Sequence, residues 1–248
     1  MVADLRRETL IGVFGADGVE RWPAAPGGIV DEEARRFLLE VGLPSELEPP
    51  TVSALPPGGG GGVGLREFRN EHETDWPWFT EDGFGGWFLI GYCSWAGNIF
   101  VDGATGVVHF VPDAEEPPSL MNSSVRDFAY FMYAFQRDRD AYTHERTLEL
   151  AQRGTPGGDD DRDRFVRRML NFPSMADELA EDPEFVQQQM AYRATARDLA
   201  IELQAADPAP FAGDAAAVFE RDPELNLTEG FAGPWTYMFQ AICDGELG

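Results

Sequence analysis

Hydrophobic positions recur every three or four residues in several parts of the chain, and this spacing predicts amphipathic helices. One helix is predicted just before Gly15, and a second begins at Asp31, a favourable N-terminal cap, and ends at Gly42. A third begins at Ser123 or Ser124 and carries a dense aromatic stripe. Each predicted helix therefore has an apolar face to bury.

The last part of the chain shows the same helical spacing, with prolines that mark helix starts. The Asp-Pro pair at 182–183 is predicted to open the longest helix, which runs to about Ala206. Two further Asp-Pro pairs, at Asp207 and Asp222, predict turns around a small Ala-rich helix, and Pro234 begins a final helix.

Between residues 86 and 112 the pattern changes to β-branched and aromatic residues punctuated by glycine, which is typical of a sheet. Residues 102–106, with the sequence DGATG, predict the turn of a hairpin whose second strand covers residues 107–111. Residues 48–64 are rich in proline and glycine, and we expect them to form a flexible surface loop or insertion.

These patterns predict an α+β fold, with a largely antiparallel β-sheet flanked by helices and a helical C-terminal part. We expect residues 1–150 to form the α+β core and residues 151–248 to form a helical extension packed on it, as a single compact unit. A chain of 248 residues is long enough to bury a sizeable core.

The charge of the chain narrows its possible functions. The net charge is −25, and all of the 19 basic residues are arginine, because the sequence contains no lysine. This excludes a P-loop lysine, a Schiff-base lysine and a serine–lysine nucleophile pair. Phosphate-rich surfaces would repel the chain, so nucleic acid and membranes are not expected as direct partners, whereas a basic protein is.

Cysteine usage and hydropathy indicate where the protein works. Cys93 and Cys243 are far apart and lack metal-ligand spacing, which favours a reduced, cytoplasmic protein. The apolar run after Arg6 and Arg7 is too short for a typical signal peptide, and no stretch approaches the ~20 residues that span a bilayer.

The sequence offers few candidates for chemistry. His72 lies beside Glu71, Glu73 and Asp75, which could share a cation, although adjacent residues rarely converge on one metal and a solvated acidic loop is the simpler interpretation. The sequence DDDRD at 159–163 lacks the glycine and distal glutamate of a calcium loop, and favours an acidic helix start.

A second candidate is a thiol–imidazole pair, formed by Cys93 and His109 on neighbouring strands. A small core cysteine is the simpler interpretation of Cys93. The sequence therefore predicts no catalytic residues, no metal site and no cofactor.

A binding role directs attention to acidic loops and exposed aromatic side chains, because loops carry most contacts and aromatic residues anchor interfaces. Trp76 and Trp78 flank a proline between acidic residues, so that one of them is a candidate anchor. The predicted partner-binding residues are Glu71, Glu73, Asp75, Trp76, Trp78, Asp113, Glu115, Glu116, Asp159, Asp160 and Asp161.

Three segments occur in an order that resembles a known family. They read FLLEVGLP, WFLIGYCSWAGNIFVDGATGVVHFV and LMNSSVRDFAYFMYAF, within roughly residues 1–140. Together they resemble the fourth immunity-protein family of the SUKH superfamily, relatives of the fungal cell-wall regulators of the Smi/Knr type. The shared motifs are Val41-Gly42-Leu43-Pro44, Ile90-Gly91, the turn at 102–106 and Asn122-Ser123-Ser124.

This resemblance implies an α+β domain from a largely bacterial group of proteins that bind and neutralise polymorphic toxins, among them nucleases and nucleic-acid deaminases. It implies no catalytic residues. With the acidic charge, it predicts a cytoplasmic immunity protein that is not an enzyme and that blocks the active site of a basic toxin. The alternatives are a regulatory or scaffolding module of the same fold and a metal-dependent enzyme; the oligomeric state is left open.

Overall fold

The computed structural model describes residues 5–47, 52–55, 61–72, 76–93, 97–113, 116–142, 183–221, 230–231 and 233–243. The helices are α1 (Arg7–Phe14), α2 (Glu32–Arg36), α3 (Leu65–Glu71), α4 (Glu81–Phe84), α5 (Val125–Arg137), α6 (Arg139–Tyr142), α7 (Pro183–Ala206), α8 (Ala215–Arg221) and α9 (Pro234–Cys243). The strands are β1 (Val19–Glu20), β2 (Leu43–Pro44), β3 (Glu46–Leu47), β4 (Val52–Ala54), β5 (Trp87–Cys93), β6 (Gly97–Asp102), β7 (Val108–Pro112) and β8 (Ser119–Asn122).

Strands β3 to β8 form an antiparallel sheet in sequence order, and β1 pairs with β2 in a small separate ribbon. Helices pack on this sheet, so the predicted α+β class is confirmed. The predicted α5 and α7 are also confirmed, as is the hairpin of β6 and β7.

The prediction of a flexible loop over residues 48–64 is wrong for part of that segment. Strand β4 pairs with β5, and all three of its residues are buried. The two strands approach so closely that a Cβ atom on Gly91 would lie 2.4 Å from the carbonyl oxygen of Ser53. Neighbouring prolines and glycines obscured a short strand that long-range pairing stabilises.

Several family-like motifs have clear structural roles. Gly42 ends the π-helical turn Phe37–Val41 with a φ of 89°, and a Cβ atom there would lie 2.3 Å from the carbonyl oxygen of Glu20. In the hairpin turn, the Asp102 carboxylate accepts hydrogen bonds from the Ala104 N–H and the Thr105 hydroxyl. These residues therefore fix backbone geometry.

The inner face of the sheet packs on α5. Buried side chains of the strands share one hydrophobic cluster with α5, α1, α7 and α9. This core draws buried residues from both sides of position 150, for example Phe128 and Trp235. The division of the chain at residue 150 stays a prediction.

Ser124 is the N-terminal cap of α5, and its hydroxyl accepts a hydrogen bond from the Asp127 N–H at 3.1 Å. We expect Ser124→Ala to lower the free energy of unfolding by about 1 kcal/mol, because one N–H group at the helix start loses its acceptor. Denaturant unfolding measures this change, and Ser124→Thr, which keeps a hydroxyl that can accept from the Asp127 N–H and donate to the Asp127 carboxylate, should keep most of the stability. Equal stability of Ser124→Ala and the unaltered chain would contradict the capping role.

Candidate functional site

The outer face of the sheet carries a second, smaller cluster of aromatic side chains, which we call the outer aromatic layer. Its buried members come from α3, the segment before α4 and strands β5 to β7, and they are Leu65, Trp76, Trp87, Leu89, Phe100 and Val111. Phe68, Trp78, Phe79 and Phe84 are partly buried against them. The sheet therefore has apolar packing on both faces, and the outer layer is the thinner of the two.

The structure places Glu71, Trp76 and Trp78 in or beside this layer. Glu71 is exposed at the end of α3 and lines an open cavity of about 490 Å³ together with Glu67. Trp76 is only 3% exposed because its ring is sandwiched between Trp78 and Phe68, at centroid distances of 5.0 and 6.4 Å. Trp78 is half-buried, so that of the two tryptophans it presents more surface to a partner.

Asp113 and Glu116 are both exposed, at the end of β7 and shortly before β8. The Asn98 side-chain amide donates a hydrogen bond of 3.1 Å to the Asp113 carboxylate, which holds this carboxylate in place. Among the described residues, no hydrogen bond links Asp113 to Glu71. The remaining predicted contact residues, Glu73, Asp75, Glu115, Asp159, Asp160 and Asp161, lie outside the described residues.

Cys93 is a buried core residue, as predicted, and the alternative pair with His109 on a neighbouring strand does not form, because β6 lies between β5 and β7. His109 stacks instead on Trp87 across that strand, with ring centroids 4.0 Å apart. Cys93 is buried at the opposite end of β5 and faces the inner core. The order of strands in the sheet decides this point, and residue types alone do not reveal it.

Acidification from about pH 7.5 to about pH 5.5 should lower the free energy of unfolding through His109. Burial lowers the pKa of the His109 imidazole from 6.5, and the nearby Asp102 carboxylate offsets this only in part. The unfolded chain therefore takes up a proton at a higher pH than the folded chain does. The contribution of the neutral His109 to the free energy of unfolding is fully present above pH 6.5. It is lost as the pH falls through the pKa of His109 in the folded state.

Urea unfolding at the two pH values tests this expectation. A His109→Gln variant, which cannot be protonated at this position, should lose less stability on acidification than the unaltered chain. Equal losses in both proteins would show that other groups carry the pH dependence.

A buried carboxylate ties the end of α7 to the start of α5. Asp207 is 1% exposed and accepts hydrogen bonds from the Ser123 N–H and hydroxyl, both at 2.8 Å. It also accepts from the Asn122 amide at 3.2 Å and the Ala209 N–H at 3.1 Å. The Asn122 carbonyl in turn accepts from the Trp235 indole at 3.1 Å. We call these residues the Asp207 network.

The Asp207 network was not predicted from the sequence. In the sequence, Asp207 is typical of an Asp-Pro turn and Asn122-Ser123-Ser124 is typical of a helix start. Neither pattern indicates a contact between Ser123 and Asp207, which lie 84 residues apart in the chain. The network shows that this family-like motif also joins β8 and α5 to α7 and α9. Its role is structural, because all of its polar groups are satisfied by one another.

A second polar cluster joins α5 to α7 near the surface. The Arg137 guanidinium donates to both carboxylate oxygens of Glu202, at 2.8 and 2.9 Å, and the Tyr130 hydroxyl donates to the same carboxylate at 2.7 Å. The Arg137 hydrogen bond lowers the pKa of Glu202, while burial raises the pKa of Tyr130 to about 12. This cluster orders the helix pair and offers no group poised for proton transfer near pH 7.

Within the described ranges, no three histidine, cysteine or acidic side chains lie close enough to hold a metal ion. His72, which the sequence offered only as a less favoured cation ligand, stacks on Phe68 at a ring-centroid distance of 4.1 Å and hydrogen-bonds the Phe68 carbonyl oxygen. Its other candidate partners, Glu73 and Asp75, are not among the described residues. The described helices include none that is both long and apolar enough to cross a bilayer.

Comparison with known families decides what kind of protein this is. The sequence profile of the SUKH-4 immunity protein family matches residues 5–217. The chain belongs to the SUKH-4 immunity protein family. The match covers nearly the whole chain and includes α7, which lies beyond the roughly 140 residues on which the sequence resemblance rested. Neither a comparison with curated proteins nor one with solved structures gave a match.

Membership in the SUKH-4 family assigns an immunity function, and the geometry shows which residues serve the fold instead. The family-like motifs at Gly42, Gly91 and Asn122 lie at close backbone approaches or in the Asp207 network. They build the scaffold that presents the surface. Candidate contacts are therefore the exposed Glu71 and Asp113 and the half-buried Trp78 of the outer face.

Proposed function

We propose that this SUKH-4 protein binds a cognate polymorphic toxin in the cytoplasm and neutralises it by covering its active site. The single observation that carries this proposal is the family match over residues 5–217. The chain then acts as a stoichiometric inhibitor and not as an enzyme.

The charge of the chain indicates the chemistry of the toxin. An enzyme that acts on nucleic acid presents a basic groove, and a protein of net charge −25 is attracted to such a groove. Carboxylates on the immunity protein would occupy positions that phosphates occupy in the substrate. The expected toxin is therefore a basic nuclease or nucleic-acid deaminase.

Co-expression tests the proposal. A host that expresses the toxin-like product of a neighbouring gene should stop growing, and co-expression of this chain should restore growth. With purified proteins, the activity of the toxin should fall to zero at one equivalent of this chain, and the two should co-elute. Persistent toxicity despite folded, abundant chain would contradict the proposal, and restored growth without a physical complex would contradict direct neutralisation.

A further inference from the structure

Strands β5 to β8, which form most of the outer face of the sheet, lie in a stretch of sequence that has no basic side chain except histidine. No arginine or lysine occurs between Arg69 and Arg126, whereas nine carboxylates do. This stretch contains β5 to β8, α4 and most of the outer aromatic layer. The arginines of the outer face come from α3, where the Arg69 guanidinium lies 4.9 Å from the centre of the Phe79 ring and Arg66 lines the same cavity as Glu71. The strands on either side of Asp113 and Glu116, β7 and β8, carry no arginine.

Part of this outer face presents apolar surface beside fixed negative charge. Leu120 on β8 pairs with His109 on β7, so that both side chains lie on the outer face, and Leu120 is 37% exposed. Val111 lies two residues after His109 on the same face, and it pairs with Asn98 on β6. The Asn98 side-chain amide donates a hydrogen bond to the exposed Asp113 carboxylate. An exposed leucine and an oriented carboxylate at the margin of a sheet form a surface suited to protein contact.

We propose that this outer strand surface, formed by Asn98, His109, Asp113, Glu116 and Leu120, is where a basic segment of the toxin docks. This inference rests on the proposed function and names the face that performs it. Arginine or lysine side chains of the segment pair with Asp113 and Glu116, and their aliphatic stems cover Leu120. A second copy of this chain is a poorer occupant, because the same negative charge would meet itself.

Matched charge variants provide the test. Asp113→Asn with Glu116→Gln removes two negative charges from the outer strand surface. The control variant, Glu20→Gln with Glu40→Gln, also removes two negative charges. Both of its positions are exposed and lie away from the outer strand surface, on β1 and on the π-helical turn. Affinity for the toxin identified by co-expression should fall about tenfold in the first variant and less than about twofold in the second. Leu120→Ala should lower affinity by a further three- to tenfold or so.

A second test needs no toxin. Amide hydrogen exchange of this chain is measured with and without a synthetic peptide of alternating arginine and glycine, which stands in for a basic segment. The amides of β7 and β8 should gain more protection than those of α2 at saturating peptide. Uniform protection, or protection confined to α2, would overturn the inference. So would a dimer of the free chain that dissociates on Leu120→Ala, because a second copy would then cover this surface.

The two failures are distinguishable. If the unaltered chain neutralises no toxin, the proposed function fails, and the peptide footprint still decides whether this surface attracts basic segments. If the unaltered chain neutralises a toxin but the outer and control variants bind it equally well, the proposed function stands and the docking surface is wrong. Thermal unfolding of each variant confirms that a loss of affinity is not a loss of fold.

Discussion

Replacing Trp235 by alanine is expected to lower the free energy of unfolding by about 3–5 kcal/mol. The side chain is completely buried, and its ring lies 5.1 Å from Phe131 and 5.6 Å from Phe135, measured between centroids. Truncation leaves a cavity between α5 and α9 and also removes the indole donor from Asn122. For a protein of this size, the change corresponds to a fall in melting temperature of roughly 2–4 °C for each kcal/mol.

Trp235→Phe is the matched control for this prediction. Phenylalanine keeps an aromatic ring at the centre of the cluster but cannot donate to Asn122, so that its loss should be about 1–3 kcal/mol. Urea unfolding of the three proteins separates the packing contribution from the hydrogen bond. A Trp235→Ala protein as stable as the unaltered chain would show that α9 does not pack on α5 as described.

Asp207→Ala is expected to lower the free energy of unfolding by more than about 3 kcal/mol, because it removes the buried carboxylate that accepts from four donors, of which the Asn122 amide is itself buried. Those donors belong to Asn122, Ser123 and Ala209. Asp207→Asn should cost less, about 1–3 kcal/mol, because its carbonyl oxygen still accepts from one side of the network. Denaturant unfolding measures both changes.

Asp198→Ala is the control for the loss of a carboxylate, because Asp198 lies on α7, the helix that Asp207 directly follows. Asp198 is exposed, so that its replacement should change stability by less than about 0.5 kcal/mol. A similar small effect for Asp207→Ala would contradict the Asp207 network as a structural link between α7 and α5.

The features that sequence predicted correctly are local ones. Asp31 caps α2 because its carboxylate reaches the Ala34 N–H three residues on, and Ser124 caps α5 in the same way. The turn at Asp102 depends on contacts within five residues. Such features follow from short-range geometry, which residue types determine directly.

The features that sequence reasoning missed depend on contacts between distant segments. Strand β4 exists because Ser53 and its neighbours pair with β5, and Asp207 is buried because Ser123 supplies its donors. The burial of Trp76 likewise follows from Phe68 on α3, a helix that was not predicted. Of the candidate site, the exposure of Glu71, Asp113 and Glu116 agrees with their assignment as surface residues, while their role in binding stays a prediction.

The most direct test of the account is the rate at which the purified chain associates with its toxin as ionic strength changes. If carboxylates of a chain with net charge −25 attract a basic toxin, the rate constant should fall by about tenfold or more between about 0.01 M and about 0.15 M salt. A rate constant that stays flat over this range would contradict electrostatic recognition and would leave the acidic surface without its proposed role.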